Sequence, residues 1–263
     1  MCIRDRQYFL LFIIVLLGTA CNTVKVKPQQ VNASPLPSLL TKALTAHGGL
    51  AKWQTMNTLE YTLERDQKPE KHLIDLQNRK VLLKHENYQL GFDGEEVWVS
   101  PNKEAFGKGS PRFYHNLYFY FYAIPFVLAD PGVRYEVLPQ KEIQGQLYNA
   151  LKISYGEGVG DAPDDYYIAH FNTDTNLMEW LLYTVTYYSG EKNEKFKALH
   201  YEWQQVNGLT LPSKLTGYKY EDGQVGDIRY TRPFTDVQIK STKLNSSIFE
   251  MPNGSEIDPL IKH

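Results

Sequence analysis

The sequence predicts a mainly β protein with a few helices (an α+β fold), built as a strongly curved antiparallel sheet or half-open β-barrel. From residue 59 onward, apolar and polar residues alternate with the period of two that half-buried strands show. Turn dipeptides such as Asn207-Gly208 and Asp222-Gly223 divide these runs and favour type I′ hairpins. One aromatic segment, residues 111–131, has helical spacing instead. We expect this helix to lie in the concave face of the sheet.

The first predicted element of the domain is a short helix with Ser38 as its N-cap. Helical spacing puts four apolar residues on one face: Leu39, Leu40, Ala43 and Leu44. Gly48 and Gly49, which follow His47, are predicted to end the helix, because glycine accepts the left-handed backbone at a helix C-terminus. Trp53 lies just beyond, and we expect it to anchor the core.

The alternating runs that follow are predicted to be strands joined by short hairpins. Leu59, Tyr61 and Leu63 alternate with polar residues, and Asp93-Gly94 is a third turn dipeptide between two such runs. About ten strands joined in this way form a largely antiparallel meander. The sheet is expected to curl or close, since a long flat sheet leaves exposed edges.

The aromatic segment 111–131 is predicted to be a helix buried on every side. Five apolar residues keep helical spacing: Phe113, Leu117, Phe121, Ile124 and Leu128. Tyrosines and Phe119 cover the other faces, and a helix that is apolar all round is buried all round. Pro125 should break or kink the helix, and Asp130-Pro131-Gly132 should end it.

Residues 1–20 are predicted to be a secretory signal peptide. Arg4 and Arg6 precede an unbroken apolar run at residues 8–17, and the small residues Gly18, Thr19 and Ala20 follow it. The run is shorter than the roughly 20 residues that a membrane-spanning helix needs.

Residues 16–21 (LLGTAC) resemble the lipobox of bacterial lipoproteins, so Cys21 is the predicted site of lipidation. Gly18 stands where the usual pattern has a leucine, and ordinary signal cleavage is the alternative. Residues 21–37 would then be the lipidated cysteine and a polar, proline-containing tether to a membrane. Asn22 after the cysteine, without a following acidic run, favours a place in the cell envelope at the outer membrane, facing the periplasm.

Residues 38–263 are predicted to form a single domain, and their composition excludes several classes of function. Cys2 and Cys21 are the chain's 2 cysteines, so the domain has neither a disulfide nor a thiolate site. The net charge of −2 gives no electrostatic reason to expect a nucleic-acid partner. The 19 tyrosines and 12 phenylalanines suit strands and apolar clefts alike.

Motif searches identify no catalytic residue, metal site or cofactor. The histidines lack the spacing of zinc hydrolases, and no G-x-S-x-G elbow occurs. Residues 156–167 contain Asp161, Asp164 and Asp165, but their spacing does not match a calcium loop, so we expect a wide connection between strands. His115 lies within the aromatic helix and would orient a polar headgroup if it faced a hollow; packing is the favoured alternative.

Four segments resemble one family of bacterial lipoproteins that is common in Bacteroidota. They are residues 46–53 (AHGGLAKW), 125–132 (PFVLADPG), 158–167 (GVGDAPDDYY) and 203–212 (WQQVNGLTLP). That family is similar in build to the periplasmic carriers that sort outer-membrane lipoproteins, the LolA/LolB-like proteins. The resemblance implies a half-open antiparallel barrel whose helices line an apolar hollow for acyl chains.

These observations predict a membrane-tethered periplasmic binding protein for a lipid, a lipoprotein or another apolar ligand. The residues expected to line the hollow are Phe113, Leu117, Tyr118, Phe121, Tyr122 and Phe126. Two alternatives remain. One is a structural or assembly component of the envelope with a closed core, and the other, ranked third, is an enzyme of unknown type.

Replacing Cys21 with Ser tests the predicted anchor. Serine cannot carry the thioether-linked lipid, so we expect the variant to leave the membrane fraction or to accumulate as the uncleaved precursor. Fractionation and immunoblotting of precursor size measure both effects. An unchanged distribution together with an unchanged size would show that Cys21 is not lipidated.

Overall fold

The structure is a computed structural model that describes residues 35–65, 68–156, 164–188 and 195–260. The described residues contain four α-helices: α1 Ser38–Ala46, α2 Leu50–Gln54, α3 Lys103–Phe106 and α4 Pro111–Ala123. Thirteen strands form one sheet: β1 Thr58–Arg65, β2 Lys68–Asp75, β3 Val81–Lys84, β4 Gln89–Phe92, β5 Val97–Ser100, β6 Val133–Ile143, β7 Gln146–Tyr155, β8 Tyr167–Asn172, β9 Met178–Tyr183, β10 Lys197–Val206, β11 Leu209–Glu221, β12 Gln224–Lys240 and β13 Glu256–Ile257.

The strands follow the order β13-β5-β4-β3-β2-β1-β12-β11-β10-β9-β8-β7-β6, and all their paired neighbours are antiparallel. β12 returns beside β1 and thereby joins two meanders, β1–β5 and β6–β12, into a single curved sheet. The sheet does not close, because β6 and β13 remain edge strands. The predicted fold class, mainly β with a strongly curved antiparallel sheet, is confirmed.

The predicted signal peptide and Cys21 lie outside the described residues, as does most of the tether. Within the part of the chain that the structure describes, no helix has the length and apolar character needed to cross a membrane. The predicted anchor therefore stays a prediction from the sequence.

Two of the three predicted turn dipeptides form type I′ hairpins. Asn207 and Gly208 both have positive φ, at 49° and 68°, and Asp222 and Gly223 have 49° and 77°. The prediction is wrong for the dipeptide at Asp93, where only the glycine has a positive φ. There the Asp93 carboxylate accepts the backbone N–H groups of the second and third residues after it, each at 2.9 Å, which builds a longer loop from local side-chain hydrogen bonds.

Helix α1 begins one residue earlier than predicted. Pro37 occupies the N-cap position and Ser38 is the first helical residue, without a side-chain cap. The two glycines Gly48 and Gly49 end the helix with φ of 101° and 95°, as expected. The short helix α2, which the sequence pattern does not reveal, then carries the buried Trp53.

His47 fastens the end of α1 to the sheet. Its Nδ1 lies 3.1 Å from the carbonyl oxygen of Thr210 on β11, and its Nε2 accepts the backbone N–H of Met178 on β9 at 3.2 Å. The ring must therefore carry its proton on Nδ1 and remain neutral. Burial lowers the pKa of His47 to about 4, although the bond to Thr210 opposes that shift.

Helix α4 lies inside the curve of the sheet, as predicted, in contact with β3, β4 and β5 on one wing and β11 on the other. Ser110 caps it by accepting the N–H of Phe113 at 3.2 Å. The carboxylate of Asp258 accepts the N–H of Arg112 at 2.9 Å, which places a negative charge at the helix N-terminus. The helix stops at Ala123 ahead of Pro125, so the predicted break is confirmed.

A small second cluster packs on another part of the sheet. Trp98, Leu82 and Phe249 are buried together, and the Trp98 indole donates to the Phe249 carbonyl at 3.0 Å. Gly91 is required here, because a Cβ at that position would lie 2.1 Å from the Trp98 ring. The segment that carries Phe249 is thereby fixed close to the strand pair that also contacts α4.

His47 predicts an acid-dependent loss of stability. Its pKa is 6.5 in the unfolded chain and about 4 in the folded protein, so the unfolded chain binds the proton first as the pH falls. Above pH 6.5 the ring is neutral in both states and the free energy of unfolding is at its full value. Towards pH 4 this titration lowers the free energy of unfolding by ~3 kcal/mol. Burial lowers the pKa of His170 to about 4 as well, so both sites act in this window.

Urea unfolding at a series of pH values measures this effect. We expect the free energy of unfolding to fall between pH 6.5 and 4, and the fall to be shallower in His47→Gln, which removes one titrating group. A wild-type stability that stays constant across this range would contradict the assignment of a neutral, buried imidazole.

Candidate functional site

The six residues predicted to line a hollow divide into two groups along the aromatic segment. Phe121, Tyr122 and Phe126 are buried, with exposures of 5%, 0% and 1%. The other three residues, Phe113, Leu117 and Tyr118, are only partly buried. The segment is therefore closed towards its C-terminal end and partly open towards its N-terminal end.

Aromatic contacts fill the closed end. Tyr122 stacks on Tyr61 of β1 with ring centres 4.5 Å apart, and Phe126 stacks on Trp53 at the same distance. Phe121 meets Tyr183 of β9 edge to face at 4.9 Å. A ligand chain can enter this region only if α4 moves, since interiors packed in this way hold few voids.

The partly open end combines aromatic surface with hydroxyl groups. Phe113 packs against Tyr187 and Tyr188 at 4.9 Å and 5.2 Å, and Tyr188 is 61% exposed. The Tyr118 hydroxyl accepts a long hydrogen bond from Arg232 of β12 at 3.4 Å. This part of α4 presents an amphipathic surface.

A buried carboxylate lies where α4 meets the sheet. Glu70 and His72 lie on the inward face of strand β2, together with Ile74. A half-buried strand ordinarily carries apolar side chains on this face. One carboxylate oxygen of Glu70 accepts the His72 Nε2–H at 2.7 Å and the Tyr114 hydroxyl at 2.9 Å. The other oxygen accepts the hydroxyl of Tyr88, which directly precedes β4. Glu70 therefore connects β2, the start of β4 and α4 at a single point.

Glu70 is ionised at neutral pH in spite of its burial. Burial raises the pKa of its carboxyl, but the hydrogen bonds from His72, Tyr88 and Tyr114 outweigh this effect and hold the pKa at about 2. Burial also raises the pKa of Tyr88 and Tyr114, so both stay protonated donors. A carboxylate with so low a pKa is a weak general base, and this arrangement favours positioning over proton transfer.

A cavity of ≈ 220 Å³ opens beside Glu70. Its lining residues are Arg65, Lys68, Glu70, His85, Asn87, Tyr88, Ala105 and Phe106. The buried Glu70 and Tyr88 form its floor, while the exposed Lys68 and Asn87 lie at its rim. The cavity thus combines a buried carboxylate with an exposed ammonium at its mouth.

Five buried side-chain polar atoms have no hydrogen-bond partner within the described ranges, and three of them lie together in the interior. These three are the hydroxyls of Tyr61 and Tyr122 and the Nδ1 of His72. The three rings form one stack, with His72 on Tyr61 at 4.7 Å and Tyr61 on Tyr122 at 4.5 Å. Buried polar atoms are almost always paired, so this stack gives the interior an unused capacity for hydrogen bonding.

Other candidates from the sequence have structural roles where they are described. His115 is buried, bonds the carbonyl of Arg112 and packs beside Phe92 at 5.1 Å, in agreement with the packing alternative. The Asp165 carboxylate accepts hydrogen bonds from the Thr184 hydroxyl at 3.1 Å and from the backbone N–H of Thr186 at 2.7 Å. Asp161 lies outside the described residues. Among those that are described, no group of His, Cys, Asp and Glu could hold a metal.

Sequence reasoning missed Glu70, Tyr88 and Tyr114 as a unit. A signal for Glu70 is present in the sequence, since it has the same strand parity as His72 and the apolar Ile74. A charged residue on the inward face of a strand requires partners. The identity of those partners depends on the long-range placement of α4, which the local pattern does not contain.

Residues 98–216 match the sequence profile of a family of unknown function (DUF6503). No curated protein matches the chain. A LolA superfamily protein from Nitrosomonas europaea is 11% identical to this chain with a TM-score of 0.48, and the match covers 81% of this chain and 96% of that protein. A DUF1329 family protein from Desulfovibrio piger is 12% identical with a TM-score of 0.49, and covers 82% and 98%.

An outer membrane lipoprotein-sorting protein domain from Vibrio parahaemolyticus is 13% identical with a TM-score of 0.42, and covers 78% of this chain and 97% of that domain. Each of these solved structures is similar to this chain over most of its own length, at low sequence identity.

Proposed function

We propose that this protein is a membrane-tethered, periplasm-facing binding protein for a lipid, a lipoprotein or another apolar ligand, which lies against α4 on the concave face of the sheet. The observation that carries the proposal is an aromatic helix inside an unclosed sheet, with Phe113, Leu117 and Tyr118 left partly exposed. The tether is the lipid predicted on Cys21, and the place is the outer membrane.

The exposed aromatic and aliphatic surface supplies the driving force for binding. Complete burial of a leucine or phenylalanine side chain stabilises a complex by about 1.5–3 kcal/mol. An acyl chain laid along Phe113 and Leu117 would bury both of them together with its own methylenes, each worth ~0.8 kcal/mol. Both side chains are partly exposed, so this surface is accessible to a ligand.

A long chain would also have to displace part of α4 from its attachments. The C-terminal part of α4 is attached by the hydrogen bond between the Tyr120 and Tyr155 hydroxyls and by the Tyr201 hydroxyl, which donates to the Phe121 carbonyl at 3.1 Å. Neutral hydrogen bonds of this kind contribute about 0.5–1.5 kcal/mol each. Burial of about ten methylenes, ~8 kcal/mol, exceeds their sum, so a movement of α4 that admits a chain is energetically feasible.

The second candidate is a structural component of the envelope with a closed core. The filled region around Tyr122 and Phe126 favours it, because a plug that completes the core needs no ligand. An enzyme ranks third, since the pKa of Glu70, about 2, makes this carboxylate a weak general base. The two leading candidates differ in one measurable property, the uptake of an apolar ligand.

A pair of adjacent charge substitutions on α4 tests the proposed surface. Leu117 is partly buried and Asn116 is exposed, so Leu117→Glu puts a carboxylate on the proposed binding surface while Asn116→Glu puts it in solvent. We expect Leu117→Glu to weaken binding of a fluorescent fatty acid about tenfold or more, because an unpaired charge beside an acyl chain is costly. Asn116→Glu should bind like the wild type.

Titration of the purified full chain and of both variants at micromolar concentrations measures these affinities, with a thermal melt of each to confirm that it is folded. Equal weakening by both substitutions would place the ligand elsewhere. If the wild type shows no saturable binding, the carrier proposal is wrong and the closed structural component takes its place.

A further inference from the structure

We propose that the cavity beside Glu70 binds a small zwitterionic group, with an ammonium at its floor and a phosphate or carboxylate at its rim. If the ligand is amphiphilic, this inference rests on the proposed function and identifies the headgroup of that ligand. The chemistry recognised is that of an amine separated from an acid by a few bonds, as in an ethanolamine phosphate.

The floor of the cavity suits a cation. The Glu70 carboxylate is 1% exposed, and two of its three donors, Tyr88 and Tyr114, are neutral hydroxyls that leave its negative charge in place. Phe106 stands edge to face with both tyrosines, at 5.1 Å and 5.4 Å, and forms an aromatic wall. Carboxylate oxygens and aromatic faces together are the groups that recognise ammonium ions in proteins.

Arg65 shows that this wall accepts a cation. Its guanidinium carbon lies 5.2 Å from the centre of the Tyr114 ring, within the usual range of a cation–π contact. Arg65 itself lines the cavity, so one positive charge is already present there. A second cation at the floor would therefore be favoured only if an anionic group accompanied it.

The rim supplies the contacts for that anionic group. Lys68 forms an ion pair with Glu86 at 2.6 Å, but both side chains are more than half exposed, at 57% and 58%. Exposed pairs of this kind contribute little, so Lys68 can turn to a ligand at small cost. The Lys68 ammonium and the Asn87 amide then offer donors to one phosphate or carboxylate.

The size and position of the cavity fit a headgroup. Its volume of ≈ 220 Å³ lies below the roughly 300–1,000 Å³ of sites for drug-sized ligands, so it holds a small polar group and no acyl chain. Tyr114 bonds the floor carboxylate, and Tyr118 lies one helical turn further along the same face of α4. A chain that extends from the bound headgroup along this face of α4 would reach Tyr118.

Isothermal titration of the purified full chain with three water-soluble probes tests the inference. Phosphoethanolamine carries both charges, ethanolamine only the cation, and inorganic phosphate only the anion. We expect saturable binding of phosphoethanolamine at least about tenfold tighter than either single-charge probe, a difference of ~1.4 kcal/mol. Equal affinity for phosphate or for ethanolamine would overturn the zwitterion assignment, and no binding by any probe would overturn the site.

Three variants locate the binding. Lys68→Ala should weaken the binding of phosphoethanolamine about tenfold and leave the binding of ethanolamine unchanged. Glu70→Gln should weaken the binding of both. Lys214 also sits in an ion pair at the surface, with Glu202 at 2.5 Å, so Lys214→Ala is the matched control and should bind like the wild type. Lys68 is exposed, so its variant tests the site even if Glu70→Gln proves unfolded in a thermal melt. Unchanged affinity in Lys68→Ala would contradict the rim assignment.

A short-chain phosphatidylethanolamine separates the two sources of this headgroup. Tighter binding than phosphoethanolamine supports a lipid whose chains lie on α4, and equal binding supports a free zwitterion in the same site. The inference also fails independently of the proposed function. If the protein binds a fatty acid but not phosphoethanolamine, only the headgroup site is wrong. If it binds phosphoethanolamine but not a fatty acid, only the acyl-binding surface is wrong.

Discussion

The buried charge of Glu70 is the constraint on which the placement of α4 depends. A carboxylate removed from water costs several kcal/mol unless hydrogen bonds replace its hydration. Glu70 obtains them from His72 on its own strand, from Tyr88 beside β4 and from Tyr114 on α4, so the charge is stable only while these three elements stay together. The same bonds keep the carboxylate ionised, and the ionised carboxylate in turn holds the tyrosine hydroxyls as donors.

This constraint divides α4 into parts with different chemistry. Tyr114 bonds Glu70, which lines a small polar cavity, and near Tyr122 the helix completes an aromatic core. Between them, Leu117 and Tyr118 remain partly exposed. A polar cavity next to an apolar strip is the arrangement that an amphiphile requires, because one molecule then satisfies both surfaces.

The architecture can be predicted from the sequence because its determinants are local. Alternation indicates the strands, positive-φ dipeptides such as Asn207-Gly208 indicate two hairpins, and Pro125 indicates the end of α4. Two of the site's determinants are not local. Glu70 finds its donors across 18 and 44 residues of chain, and whether Tyr122 faces a hollow or a packed core depends on Tyr61. The hollow is therefore predicted from a pattern that fits a packed core equally well.

Native mass spectrometry of the protein extracted in mild detergent tests the binding function most directly. A lipid on Cys21 is covalent and survives denaturation, whereas a ligand on α4 does not, so the native and denatured masses of one sample separate the two. The account predicts a native mass that exceeds the denatured mass by that of a lipid or another apolar molecule. Identical native and denatured masses, in a sample whose melt shows a folded protein, would contradict it.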